Sequence, residues 1–202
     1  GGKVAATMAL VYPESIESVA ILDIAPADYS KTIGKQSETW TDIRRIIGCL
    51  HELPLSDVKE RKDADRLLAK NIEDPLLRGF ALTNLVPDDE GGWKWRINID
   101  AIQRNMGLIG GFDLGQGVQE PASLLGISFP RDAFFVQGGN SRFIRSIHIG
   151  EISTLFPKFT LQTIRGAGHW VHSEDPEATL QNVQQFLDRA DPTPFPDNED
   201  YY

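Results

Sequence analysis

A chain of 202 residues, 41% of them apolar and 24% charged, has the length for a sizeable core and the composition of an ordinary globular protein. Its 20 Lys and Arg against 29 Asp and Glu give a formal net charge of −9, the wrong sign for a nucleic-acid binder, whose affinity comes from neutralising phosphates. Cys49 is the only cysteine, which excludes an intrachain disulfide and a cysteine metal cluster and fits a reducing compartment. The longest apolar runs fall well short of the ~20 residues that span a bilayer, so no transmembrane segment is expected. The chain opens on Gly1-Gly2-Lys3, with no Met and no signal or transit pattern, so no targeting segment can be read from it.

From Gly2 to Leu10 the residues are small or apolar and predict a helix that lies close against a sheet and is ended by Pro13. Val19-Ala20-Ile21-Leu22-Asp23-Ile24-Ala25-Pro26 is a continuous apolar run closed by proline, as expected of a parallel strand buried on both faces. It ends on Asp23, an odd residue for a buried strand unless it sits at the open end. Helical spacing then predicts helices over Trp40 to Leu53, over a charged segment capped by Ser56 and running to Lys70, and over a segment opened by Asp74-Pro75 and containing Leu85. A turn at Asp88-Asp89-Glu90-Gly91-Gly92 precedes a short alternating strand at Trp93 to Ile97, and Asn98 to Gly107 resumes as helix, with Asp100 expected to cap it.

Sheet character returns at Ala133-Phe134-Phe135-Val136-Gln137, followed at once by Gly138-Gly139-Asn140-Ser141. Further on come a helix near Ile149 to Phe156, a strand at Phe159 to Ile164 and the loop Arg165-Gly166-Ala167-Gly168-His169-Trp170. The last amphipathic helix runs from about Asp175 to Arg189, with Leu180, Val183, Phe186 and Leu187 expected on the sheet. The expected organisation is a sheet core in two parts, residues 1–28 and 118–190, interrupted by a helical lid at 29–117 and followed by a flexible tail at 191–202.

A strand, a glycine-rich turn, a histidine and a helix with proline near its start suit a general base, because an imidazole at a pocket mouth needs a rigid strand behind it. Four stretches carry a resemblance: Gly1-Gly2-Lys3-Val4-Ala5, Leu22-Asp23-Ile24-Ala25-Pro26, Gly138-Gly139-Asn140-Ser141 and Gly166-Ala167-Gly168-His169-Trp170-Val171-His172. In that order and spacing the chain resembles the α/β-hydrolases of the esterase and acyltransferase kind. It is most similar to the group holding the mitochondrial α/β-hydrolase-domain proteins and ethanol acetyltransferase.

The resemblance implies an α/β-hydrolase fold, the C-terminal part of a mostly parallel sheet with a helical lid insertion. It implies that Gly1-Gly2 ends a nucleophile elbow, Gly-His-Ser-Met-Gly-Gly-Lys, whose serine sits two residues before Gly1. The oxyanion donors and the earlier strands would also precede the chain, so this polypeptide alone is expected to be inactive, poorly stable and bare-edged at the Val19 strand. Most α/β-hydrolases carry the triad acid where this chain reads Gly139-Asn140-Ser141, and an amide cannot stabilise an imidazolium by charge. Asp23 is the expected acid, both from its place at a strand tip and because this group keeps its acid there; Asp100 is the rival.

Around them, Asn140 and Ser141 orient His169, line the pocket or simply make a turn. His172 is expected to top the last helix, Trp170 to pack beneath the loop, and His51 and His148 to be surface residues. Trp40, Trp93 and Trp95 read as lid core or as a greasy surface over an acyl chain, and Cys49 as a small buried apolar residue.

The expected function is a serine hydrolase or acyltransferase acting on carboxylic esters or thioesters through His169 and Asp23. It needs no metal or cofactor, and the resemblance implies a mitochondrial location. Two other readings stay open: an aspartate nucleophile in the same fold, of the dehalogenase or epoxide hydrolase type, and a non-catalytic binding protein.

Overall fold

The helix at the start of the chain, α1 (Gly2–Val11), buries Ala6, Ala9 and Leu10. Tyr12 closes it by donating its N–H to the carbonyl of Met8, and Pro13 begins a single 3₁₀ turn. The apolar run after it becomes β1 (Val19–Leu22), shorter than the apolar run itself because the backbone turns out of strand geometry at Asp23. In this computed structural model, which describes residues 1–31, 38–112 and 126–189, the chain divides into two compact units. One comprises Gly1–Asp28 and the described residues of Phe112–Tyr202; the other is Tyr29–Gly111. The expected lid boundary at 117/118 and the expected tail at 191–202 lie outside the described residues.

The Tyr29–Gly111 unit is mainly helical. α2 (Glu38–His51) is followed by a 3₁₀ turn at Leu55–Asp57, α3 (Arg61–Leu68) and α4 (Pro75–Leu82). After β2 (Leu85–Pro87) and β3 (Trp93–Trp95) come α5 (Ile99–Arg104) and α6 (Met106–Gly110).

Three local features of this unit differ from the expectation. The charged helix does not start at Ser56, whose hydroxyl only reaches its neighbour Asp57. It starts at Arg61, because the Asp63 carboxylate accepts the N–H groups of Lys59 and Glu60 and fixes the first turn there. Leu85 leaves the helix and pairs antiparallel with Trp95 across the glycine turn. α5 is capped by Asn98, whose side chain accepts the N–H of Ala101, and Asp100 sits in its first turn. Asp74 does cap α4, accepting from Leu76 and Leu77. Leu68, Ile72, Leu82 and Leu85 form the centre of this unit's core, with Trp93, Trp95 and Cys49 half-buried against it.

The first unit then resumes with β4 (Ala133–Gly138), α7 (Ser146–Leu155), β5 (Phe159–Ile164), α8 (Val171–Glu174) and α9 (Pro176–Arg189). The strands form one parallel sheet in the order β1-β4-β5. Their register sets Leu22 beside Val136 and Val136 beside Gln162, so the C-terminal ends of all three strands lie together. β4 is buried on both faces over Ala133–Val136, which is why those four residues are all apolar. Phe134 stacks on Phe186 of α9, ring centroids 5.1 Å apart, and Phe135 meets Phe156 edge-on at 5.4 Å on the opposite face.

The sheet-facing stripe of α9 is Ala178, Val183 and Phe186, with Thr179 buried. Leu180 and Leu187 are 68% and 52% exposed, a correction to the expected docking face: at helical spacing both fall together just beyond the edge of that stripe.

Candidate active site

Asp23 follows β1 with φ of 47°, the only non-glycine residue with positive φ among the described residues. Aspartate tolerates that left-handed conformation better than most residues. Its N–H donates to the carbonyl of Val136 at 2.7 Å, and the turn sends its side chain along the sheet toward the end of β4. The carboxylate is fully buried and fully engaged. Oδ1 accepts the N–H of Gly138 at 3.0 Å, and Oδ2 accepts the hydroxyl of Ser141 and lies 2.9 Å from Nδ1 of His169. A buried charge with three donors around it has its lost hydration replaced.

His169 comes from the loop behind β5. That loop crosses the end of β4 so closely that a Cβ on Gly138 would lie 2.0 Å from the carbonyl oxygen of Gly168, so only glycine fits there. Asn140 fastens the loop from one side: its backbone N–H donates to Ala167 and its side-chain amide to Gly166, both at 2.8 Å. Glu174 fastens it from the other, accepting the N–H of Gly168 at 2.7 Å and of Trp170 at 3.2 Å.

The ring of Phe143 lies on the imidazole, centroids 3.9 Å apart and planes 31° from parallel, and the backbone N–H of Phe143 donates to the Ser141 hydroxyl. Because Oδ2 of Asp23 is an acceptor, Nδ1 of His169 is assigned as the protonated nitrogen. Nε2 has no hydrogen-bond partner among the described residues, and the side chain is 43% exposed. The arrangement leaves Nε2 as the nitrogen able to take a proton.

Of the other residues singled out in the sequence, Asn140 and Ser141 both join this cluster. Asp100 does not: its carboxylate pairs with Nε2 of His51 at 3.0 Å, inside the Tyr29–Gly111 unit. His148 is a correction. It is buried in the first turn of α7, and its Nδ1 accepts the N–H of Arg145. Burial, with the charges of Arg145 and Lys3, holds its pKa below the usual histidine value. His172 is exposed on the short helix α8 rather than at the top of α9.

Glu174 and Phe143 join the cluster without a sequence motif to mark them. The available signal was a carboxylate five residues after the histidine of a glycine-rich loop whose N–H groups need acceptors. A groove lined by Asp132, Lys158, Phe186 and Arg189 opens at the other end of the strands and holds none of these groups. Among the described residues no cluster of His, Cys, Asp and Glu could hold a metal ion, and no helix is long and apolar enough to cross a membrane.

Parallel strands whose C-terminal ends gather an imidazole and a carboxylate, flanked by helices on both faces, are the architecture of the α/β-hydrolases. A solved marine microorganism esterase superposes with a TM-score of 0.79 and 32% identity, over 93% of this chain and 67% of that one. The chain is 33% identical over 187 residues to sn-1-specific diacylglycerol lipase ABHD11 of Mus musculus, covering 93% of this chain and 56% of that protein. It is 25% identical over 187 residues to esterase YbfF of Escherichia coli (strain K12), covering 93% of this chain and 64% of that protein. No protein-family model matches the chain. This chain belongs to the α/β-hydrolase family, and it spans little more than half the length of the curated ABHD11 relative that it matches.

Proposed function

We propose that this chain carries the base and the acid of a serine esterase, with His169 as general base and Asp23 as its partner. The serine would come from the stretch ahead of Gly1, in the Gly-His-Ser-Met-Gly-Gly-Lys elbow of this family. The observation that carries the reading is the 2.9 Å approach of His169 Nδ1 to a fully buried carboxylate, with Nε2 left open.

In this mechanism the serine hydroxyl attacks the acyl carbonyl while Nε2 takes its proton, and the charge formed on the imidazole is stabilised by Asp23. The imidazolium then returns the proton to the leaving alcohol. The acyl-enzyme is released to water in hydrolysis, or to an alcohol in ester synthesis. Relatives named as an esterase and a diacylglycerol lipase support a carboxylic ester as substrate, and they do not favour an aspartate nucleophile or a binding protein. In this reading Tyr29–Gly111 is the lid of the hydrolase, and the family resemblance supports a mitochondrial location.

The test is turnover of p-nitrophenyl butyrate by the enzyme that includes the serine-bearing stretch. Asp23→Asn should lower kcat by about 10⁴-fold, the order seen when a triad acid becomes an amide. His169→Ala should be as severe, and Asp100→Asn close to wild type. An Asp23→Asn enzyme with near-normal kcat would move the acid elsewhere and end this assignment.

A further inference from the structure

Glu174 closes the one-turn helix α8, on which the N–H groups of Ser173 and Glu174 both return to the carbonyl of Trp170 at 2.8 Å. Its carboxylate folds back past that turn. Oε2 accepts the N–H of Gly168 and Oε1 that of Trp170, the two residues on either side of His169. A carboxylate at the last position of a helix is the wrong sign for the helix itself. The favourable contacts lie upstream, on the loop.

We infer that Glu174 is a positioning residue for His169, bracketing the imidazole-bearing residue between two carboxylate–amide hydrogen bonds; the inference rests on His169 being the base. The Trp170 N–H belongs to the peptide that follows His169, whose orientation sets its ψ, while the Gly168 N–H belongs to the peptide one residue before the one that enters His169. Holding both restricts the backbone on either side of the ring, while Asn140 holds the carbonyls of Gly166 and Ala167 on the loop's other side. Asp23 then has to satisfy only the position of one ring nitrogen. Charge-assisted bonds of this kind are shorter and stronger than neutral ones. Misplacing a reacting group by about 1 Å can cost about 100-fold in rate.

Glutamine is the discriminating substitution. It keeps the shape of glutamate but offers one acceptor oxygen, so one of the two N–H groups must face an NH₂. In Glu174→Gln, kcat should fall about tenfold or more with KM unchanged. The low-field proton resonance of the Nδ1–H shared with Asp23 should broaden or vanish, the amides of Gly168 and Trp170 should exchange faster, and the melting temperature should barely move. Glu174→Asp, one methylene short, should show the same pattern and stands in if the glutamine variant folds poorly.

An unchanged resonance and a kcat within about twofold of wild type in both variants would overturn the proposal. So would a large drop in melting temperature with the resonance intact, which would make Glu174 a stability residue. The resonance and the amide exchange need no substrate. If His169→Ala and Asp23→Asn left activity intact, the base assignment would fall while these two readouts still reported on the bracket.

Discussion

Asp23 is held by neutral donors as well as by the imidazole. The Gly138 N–H and the Ser141 hydroxyl give the buried carboxylate two donors besides the imidazole. Asn140 and Ser141 stand where most α/β-hydrolases carry the acid. Here one grips the histidine loop and the other donates to the carboxylate of Asp23. His148 shows the opposite treatment of an ionisable group. Burial keeps it neutral, and its pKa lies below the 6.5 of a free histidine. Above pH 6.5 this costs nothing; as the pH falls below 6.5 the unfolded chain takes a proton that the folded one resists, so stability should decline. A urea denaturation series from pH 7.5 to 5 should show the midpoint falling less in His148→Gln than in the native chain. Identical pH dependence in the two would show that His148 contributes nothing to it.

Among the elements, the crossing of the histidine loop over the end of β4 is the tightest feature of the site. A methyl group on Gly138 cannot coexist with the Gly168 carbonyl where it stands, and both groups are backbone-bound, so neither can rotate away. Gly138→Ala should cost about 1–3 kcal/mol of stability, as overpacking does, and should push the His169 loop away from Asp23. Urea midpoints and the loss of the Nδ1–H low-field resonance would check both parts. A variant with wild-type stability would mean that the loop has room to lift. The elements that departed from their expected bounds did so through competition among close neighbours. Asp63 displaced Ser56 as the organiser of a helix start, and Leu85 exchanged a helical position for a strand partner in Trp95. In both cases the apolar periodicity was unaffected, and a particular hydrogen bond or a cross-strand contact chose the boundary.

At the scale of the whole chain, these 202 residues carry a formal charge of −9, which under the proposed function would act on encounter with substrate. A field of that sign repels anions at low ionic strength and is screened within about 8 Å at 0.15 M salt. With the proposed esterase activity, kcat/KM for an anionic acyl ester should rise with added salt relative to its neutral analogue. Parallel salt titrations of the two substrates would measure it, and equal responses would rule out steering by the net charge.

The kinds of element were legible in the order of the residues alone. Apolar runs without polar interruption became buried parallel strands, helical spacing became helices, and prolines and glycines marked the breaks, because these patterns express backbone geometry that repeats within a few residues. The residue order also made His169 and Asp23 stand out, one by its glycine-rich loop and the other by its place at a strand tip. That the two meet, 146 residues apart, and that Ser141 and Glu174 join the same cluster while Asp100 pairs with His51, came from the packing of the folded chain. The packing also decided that His148 is inside and Leu180 outside. Those outcomes depend on strand order and register, which bring together residues whose separation along the chain carries no local signature.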